Sequence, residues 1–183
     1  MPYPLLTDRL SIAPLLEADA QAFARYRRNP DVARYQSWST DYSEADAARL
    51  VAGQPHGDLP DAGEWIQLAV WAGGEMLGEV AVQRVAGQPD TFELGVTFAR
   101  EHQGRGYATE AVRAVLDELF AVHGAHRVYA QCDARNTPVA ALLRRLGMRH
   151  EARQVDADWF KGEWTTLDEF ALLSREWADP TGA

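Results

Sequence analysis

The hydrophobic positions along the chain switch between a strand-like and a helix-like spacing. Six segments are typical of strands: "RLSIAPL", "WIQLAVWA", "MLGEVAVQRV", "TFELGVTF", "RVYAQCD" and "EWTTLDEFALL". Gly73 and Gly74 separate the second from the third, which predicts a two-residue hairpin. The fifth segment follows a helical one, which favours a crossover connection to a parallel neighbour.

Four further segments have apolar residues at helical spacing. The first, "LEADAQAFARYRRN", runs up to a proline, and its charged run "RYRRN" predicts an exposed helix face. The second begins after a cap at Ser43 and stops at Gly53. A long helix is predicted over 107–122, and the last one begins near Pro138 and stops at Gly147. The order of elements indicates a mixed α/β fold.

Composition limits what this fold can belong to. At 183 residues the chain is long enough for one well-buried core, so we expect a single domain over 1–183, with its core at 5–177 and a frayed tail at 178–183. A net charge of −9 argues against nucleic acid or an anionic membrane as a partner. With one cysteine, Cys132, no internal disulfide is possible, and the five histidines lack ligand spacing, so no metal is predicted. The sequence has neither a signal peptide nor a membrane-spanning stretch, so we expect a cytoplasmic location.

The stretch "EHQGRGYATEA" places two glycines directly before the long helix. Glycine lets a ligand approach the backbone closely, and the first N–H groups of a helix have no partner within it, so the stretch predicts an anion cradle. A dinucleotide fingerprint fails because Thr109 stands where the third glycine belongs, and a Walker A motif fails on spacing and on the missing lysine. What fits is Q-x-x-G-x-[GA], written here as Gln103, Gly106 and Ala108.

That motif resembles the coenzyme A pyrophosphate loop of the GNAT superfamily of N-acetyltransferases. The chain is similar to the RimJ/RimL branch from about Leu5 to Trp177, through four blocks in the family's order: "TDRLSIAPL", "ELGVTFAREHQGRGYATEA", "HRVYAQCDARNTPVAALLRRLGM" and "KGEW...FALL". The resemblance implies a GNAT-like fold, with a mixed, mostly antiparallel central sheet, splayed strands and flanking helices. Acetyl-CoA would sit in the splay.

Residue by residue, the resemblance also implies a cofactor site. The backbone of Val96, Thr97 and Phe98 would bind the pantetheine arm as an added strand does. The pyrophosphate would be held by Gln103, Gly104, Arg105, Gly106, Tyr107, Ala108 and Thr109. Arg105 is equally explained as a solvated side chain. Asn136 would lie beside the cofactor as a catalytic or binding residue, with helix capping as the alternative.

Catalytic and acceptor residues are less determined. Most relatives carry a serine near the thioester where this chain has Val139, and valine cannot donate a proton to a leaving thiolate. Glu93 in a strand, and Asp156 and Asp158 in the loop predicted before the closing strand, are the candidate bases, each with a structural or solvated role as the alternative. The tryptophans in or beside the segments that line the acceptor cleft in the family are Trp38, Trp159 and Trp164. We expect His102, beside the cradle, to be solvated and Cys132 to be buried in the core.

Two functions follow. The first is an acetyl-CoA-dependent N-acetyltransferase acting on a primary amine, foremost a protein N-terminal α-amine, as ribosomal-protein-alanine acetyltransferases do, or a small-molecule amine. The alternative is a non-catalytic acyl-CoA-binding sensor or regulatory module, for which Val139 is the main argument. The resemblance also admits a homodimer, which no residue establishes.

Overall fold

One eight-stranded mixed sheet runs through the part of the chain described by the computed structural model, residues 3–55 and 57–178. Its strands are β1 (Leu5–Leu6), β2 (Ser11–Pro14), β3 (Trp65–Ala72), β4 (Glu75–Arg84), β5 (Thr91–Phe98), β6 (Arg127–Asp133), β7 (Arg149–Phe160) and β8 (Glu163–Leu173). Their spatial order is β1-β2-β3-β4-β5-β6-β8-β7. All neighbours are antiparallel except β5 and β6, which are parallel. The mixed, mostly antiparallel sheet expected from the resemblance is confirmed.

Helices cover both faces of the sheet. They are α1 (Ala20–Arg27), α2 (Pro30–Ala33), α3 (Glu44–Ala52), α4 (Tyr107–Asp117), α5 (Thr137–Arg145) and α6 (Ser174–Ala178), and a π-helical turn, Glu118–Val122, continues α4. Ser43 caps α3 as predicted: its hydroxyl accepts the Asp46 N–H, and the Asp46 carboxylate accepts the Ser43 N–H. The apolar residues of α4 and α5 pack on one face of the sheet, while those of α1 and α3 pack on the other.

Several elements escaped the sequence analysis, and β7 is the most important. The prediction that Asp156 and Asp158 lie in a loop is wrong, because both belong to β7. Most residues of β7 are exposed at the edge of the sheet, so the strand has no buried face and no apolar alternation. The short elements β1, α2 and α6 were also not predicted. The predicted frayed tail at 178–183 lies, apart from the α6 residue Ala178, outside the described residues.

The feature that positions a site is the gap between β5 and β6. Their pairing is confined to Thr91–Glu93 against Arg127–Tyr129, although β5 continues to Phe98 and β6 to Asp133. Within the described residues, no sheet pairing joins the two strands beyond Glu93 and Tyr129. Backbone N–H and C=O groups that face this gap therefore lack the sheet partner that a continuous ladder would give them.

Candidate active site

A cavity of about 880 Å³ opens at the end of the gap. Its wall combines the end of β5 (96–98), the cradle, the start of α5 and the segment 31–36 that includes the end of α2. A second cavity of about 100 Å³ extends between the strands, where Gly95, Cys132 and Val139 contribute to its wall. The larger volume lies within the range typical of ligand and cofactor sites.

The cradle is built as the glycine pattern predicts. Gly104 and Gly106 adopt φ values of +75° and +82°, in the left-handed region that favours glycine. Gly106 is the N-cap of α4 and supplies no capping side chain, so the N–H groups of the first turn remain available to an anion in the cavity. Tyr107, Ala108 and Thr109 also line the cavity.

Two of the predicted cradle residues have different surroundings from those that a direct phosphate contact would give. The Gln103 amide donates to the Phe98 carbonyl oxygen at 2.9 Å, which fixes the loop to the end of β5. Arg105 is not among the residues that line the cavity, and its carbonyl oxygen accepts a hydrogen bond from Arg9 at 3.2 Å. The alternative for Arg105, an exposed side chain, agrees with its position.

Four other arginines give the cavity a positive wall despite the acidic composition of the chain. Its lining includes Arg34, Arg100, Arg135 and Arg145. Arg135 donates to both carboxylate oxygens of Asp133, and these hydrogen bonds hold the pKa of Asp133 below its ordinary value. Such a wall favours a polyanionic ligand.

The start of α5 brings Asn136 and Val139 to both cavities. Asn136 occupies the N-cap position, yet its side chain makes no capping hydrogen bond, so the amide is not used to cap the helix. Val139 presents an aliphatic side chain to both cavities and has no proton to donate there. Cys132 is 8% exposed and belongs to the hydrophobic core, as predicted.

Glu93 lies on the opposite face of the sheet from α4 and α5. Its carboxylate accepts a hydrogen bond from the Tyr129 hydroxyl at 2.9 Å, across the last paired position of β5 and β6. Burial raises the pKa of Glu93, and the Tyr129 hydrogen bond offsets part of this rise. Burial and the same carboxylate raise the pKa of Tyr129 to about 12. Glu93 is not among the lining residues of either cavity, so a role in catalysis requires an intervening group such as water.

The predicted residues of the β7–β8 hairpin do not join this cavity. Asp156 is exposed, Asp158 is half-buried opposite Thr165, and neither lines the cavity. Trp159 and Trp164 are 61% and 60% exposed, and their rings contact each other edge-on at 5.3 Å between centroids.

Trp38 packs into a buried polar cluster on the face of the sheet that α1 and α3 cover. Its indole N–H donates to the Arg27 carbonyl oxygen at 3.1 Å, and its ring covers the Arg27 guanidinium at 3.7 Å. Arg27 forms a 2.5 Å ion pair with Glu79, which is opposite Thr97 in the β4–β5 ladder. Arg27 is only 4% exposed, so the exposed helix face predicted for "RYRRN" is wrong at this position.

Lys161 at the hairpin tip ties β7 and β8 to the segment 33–38, part of which lines the cavity. Its ammonium group donates to the carbonyl oxygens of Ala33 and Trp38, at 2.6 and 2.8 Å. Partial burial lowers the pKa of Lys161. The segment 33–38 and the hairpin tip are thereby joined at one edge of the cavity.

Ionisable groups that could move a proton are few on the cavity walls. Among the described lining residues, the carboxylates are Asp31 and Asp133 and the imidazole is His102. Asp31 is 3.7 Å from the Arg100 guanidinium, and His102 is buried, which corrects the expectation that it is solvated. Within residues 3–55 and 57–178, no group of three or more His, Cys, Asp or Glu side chains is arranged to hold a metal ion. No helix in that part of the chain is long and apolar enough to cross a membrane.

Comparisons with known proteins agree with this geometry. Residues 9–149 match the model of a family described as acetyltransferase (GNAT) domain. A relative from Bacillus licheniformis, the uncharacterized N-acetyltransferase p20, is 28% identical over 176 residues, which cover 95% of this chain and 98% of that protein. Spermidine N-acetyltransferase from Vibrio cholerae, solved with CoA and spermine, has a TM-score of 0.81 at 18% identity, covering 94% of this chain and 100% of that one. RimL, a ribosomal alpha-N-protein acetyltransferase solved with coenzyme A, has a TM-score of 0.78 at 18% identity, covering 91% and 95%.

Proposed function

The chain belongs to the GNAT family of acetyltransferases, and we propose that it transfers the acetyl group of acetyl-CoA to the α-amine of a protein N-terminus. The observation that carries the proposal is the gap between β5 and β6, which leads from an open helix N-terminus into the sheet. A diphosphate at the one end and a thioester within the gap are the ligand groups that suit these two environments.

The residues present fit acetyl-CoA. The N–H groups of the first turn of α4 would bind the diphosphate, helped by the arginines of the cavity wall. The main-chain groups of Val96, Thr97 and Phe98 that face the gap would bind the pantetheine arm. The Asn136 amide, which makes no helix cap, is available to the same arm. Acetyl-CoA supplies the activated acyl group, and the protein orients it.

The transfer itself balances without a covalent enzyme intermediate. The neutral amine attacks the thioester carbonyl carbon, a C–N bond forms, and the C–S bond breaks with the electron pair leaving on sulfur. The nitrogen loses one proton, which passes through water to a base. A main-chain N–H near Val96 would stabilise the negative charge on the carbonyl oxygen. Because Val139 has no proton to give, the thiolate takes its proton from water or leaves unprotonated.

Glu93, positioned by Tyr129, is the carboxylate that we retain as a base. It lies on the face of the sheet opposite α4 and α5, and a pKa raised by burial improves its ability to accept a proton through water. Asp156 and Asp158 are set aside because they lie on an edge strand away from the cavity.

The bases available to this site are carboxylates, which are weak bases compared with amines, and this favours an α-amine as the acceptor. Of the two carboxylates that line the cavities, Asp133 has a pKa held below its ordinary value by hydrogen bonds from Arg135, and Asp31 is 3.7 Å from the Arg100 guanidinium. An α-amine has a pKa of about 7.7 to 8.0, so roughly a tenth is already neutral at pH 7, whereas an alkyl amine near 10.4 is neutral in about one part in several thousand. A polyamine is the second candidate acceptor, supported by the net charge of −9 and by the spermidine acetyltransferase among the similar structures. We also keep the cytoplasm as the proposed location.

Release of free thiol from acetyl-CoA tests the proposal. Peptides with free N-termini, matched N-blocked peptides, spermidine and an aminoglycoside form the acceptor panel. We expect turnover with the free N-termini only, and loss of at least about tenfold in kcat/KM at pH 7 in Glu93→Gln, with recovery at higher pH as the amine deprotonates. Preference for spermidine would replace the acceptor assignment. Coenzyme A binding without turnover across the panel would favour the non-catalytic sensor.

A further inference from the structure

The N-terminal segment reaches the cradle although about a hundred residues separate them in sequence. The backbone N–H of Arg9 and its Nε both donate to the Glu110 carboxylate, at 3.1 and 2.6 Å, and the Thr7 hydroxyl donates to the same carboxylate at 2.6 Å. Arg9 Nη1 donates to the Arg105 carbonyl oxygen at 3.2 Å. One side chain therefore joins the first turns of α4 to the loop that precedes it.

The Arg9 guanidinium also lies against the cap of the helix. It covers the Tyr107 ring at 4.5 Å, and a Cβ atom added at Gly106 would lie 3.4 Å from Arg9 Nη2. The loop contains two glycines in left-handed conformations, whose backbone is little restricted, and Gln103 fixes only its start to the end of β5. An external support at this point lowers the entropy that the loop loses when a ligand orders it.

The charge of Glu110 gives the contact a second purpose. Its side chain is only 20% exposed and lies in the first turns of the helix whose N-terminus would face the diphosphate. Burial raises the pKa of Glu110, but the hydrogen bonds from Thr7 and Arg9 outweigh this effect and leave the pKa below its ordinary value. An ionised carboxylate here would repel an anionic ligand unless a nearby cation balanced it.

We propose that Arg9 is a positioning residue for coenzyme A: it holds the Gly104–Gly106 loop in its anion-binding conformation and balances the charge of Glu110. The inference rests on the proposed function, because it assigns the diphosphate of coenzyme A to this cradle. Arg9 acts through the Arg105 carbonyl group and through Glu110. The block "TDRL", singled out in the sequence, thereby acquires a role in cofactor binding.

Calorimetric titration with coenzyme A and with pantetheine, which lacks the diphosphate, tests this role. We expect Arg9→Ala to weaken coenzyme A binding about tenfold, with a higher KM for acetyl-CoA and an unchanged kcat. Pantetheine binding should not change. Arg9→Lys, which keeps the charge but not the paired donors, should give an intermediate loss. Arg25→Ala, at an exposed position on α1, is the matched control and should bind as the wild type does.

The double variant Arg9→Ala/Glu110→Gln separates charge balance from simple support of the fold. Removing the unbalanced carboxylate should recover about threefold in coenzyme A affinity relative to Arg9→Ala alone. A role in stability alone predicts no such recovery and an equal loss for pantetheine, and either result would overturn the inference. A folded Arg9→Ala variant that binds coenzyme A within twofold of the wild type would also overturn the inference. If Gly106→Glu abolishes binding in the same experiment, the proposed function remains intact. A wild-type protein that binds no coenzyme A overturns both.

Discussion

Gly78 offers a sharp test of how closely the end of β5 packs against β4. It lies on β4 directly opposite Phe98, and its backbone has no unusual torsion that would itself require glycine. A Cβ atom at this position would lie 2.7 Å from the Phe98 Cα and 2.9 Å from the Phe98 Cγ, and closer still to the Thr97 carbonyl oxygen. Two of these three atoms are main-chain atoms, so the clash cannot be relieved by turning a side chain.

The size of the effect follows from these distances. Ordinary contacts begin at 3.4 Å, so the end of β5 must retreat by at least ~0.7 Å from its 2.7 Å approach in Gly78→Ala. Overpacking of a buried position destabilises by about 1 to 3 kcal/mol, and we expect the upper end because backbone must move. For a chain of this length about 3 kcal/mol corresponds to a Tm lower by roughly 6 to 12 °C. Coenzyme A binding should also weaken, since Thr97 and Phe98 border the cavity.

Thermal unfolding and calorimetric titration with coenzyme A are the assays. Gly53→Ala is the control, because its added Cβ atom would have its nearest contact at 3.5 Å from a carbonyl oxygen, an ordinary separation. We expect its Tm to change by less than about 2 °C. The further substitution Phe98→Ala should not rescue Gly78→Ala, because the main-chain contacts remain. An unchanged Tm together with unchanged coenzyme A affinity in Gly78→Ala would refute the reasoning.

Three further predictions concern buried polar groups. Glu79→Ala leaves the Arg27 guanidinium buried without its counter-charge and should lower the free energy of unfolding, measured in urea, by about 3 to 5 kcal/mol. The double variant Glu79→Ala/Arg27→Met should lose less stability, and equal losses would contradict this reasoning. Hydrogen bonds from Arg153 hold the pKa of Asp168 at about 2, below its ordinary value. The stability that Asp168 contributes is therefore present above about pH 4 and is lost as the pH falls towards 2, and Asp168→Asn should flatten this part of the pH–stability curve. Burial raises the pKa of Cys132 to about 11, so iodoacetamide at pH 7.5 should modify it slowly, and still more slowly with coenzyme A bound, as mass spectrometry can show; modification at the rate of an exposed thiol would contradict the placement.

Features that depend on neighbouring residues could be predicted from the sequence. The hairpin at Gly73 and Gly74, the cap at Ser43 and the cradle at Gly106 each need only a few consecutive residues, and the structure contains all three. The separation of β5 from β6 was different, because no hydrophobic period encodes it. Its prediction came from the resemblance to a family.

What the sequence did not predict depends on distant residues or on exposure. The pairing of Arg9 with Glu110 joins positions about a hundred residues apart. The hydrogen bond from Tyr129 to Glu93 requires the parallel register of two strands, which a single sequence does not specify. β7 lacks an apolar face because it lies at the sheet edge, so its residues resemble a loop in composition.

The gap between β5 and β6 has a consequence for how this protein can change over evolutionary time. A ligand strand that pairs with main-chain atoms is recognised by groups that every amino acid except proline carries. Side chains at 94–98 can then drift, provided that they fit the packing around them, without loss of the donor substrate. Under the proposed function, substitutions confined to the segment 33–38 and to the hairpin tip that Lys161 joins to it leave these main-chain groups in place, so we expect them to change the acceptor rather than the donor.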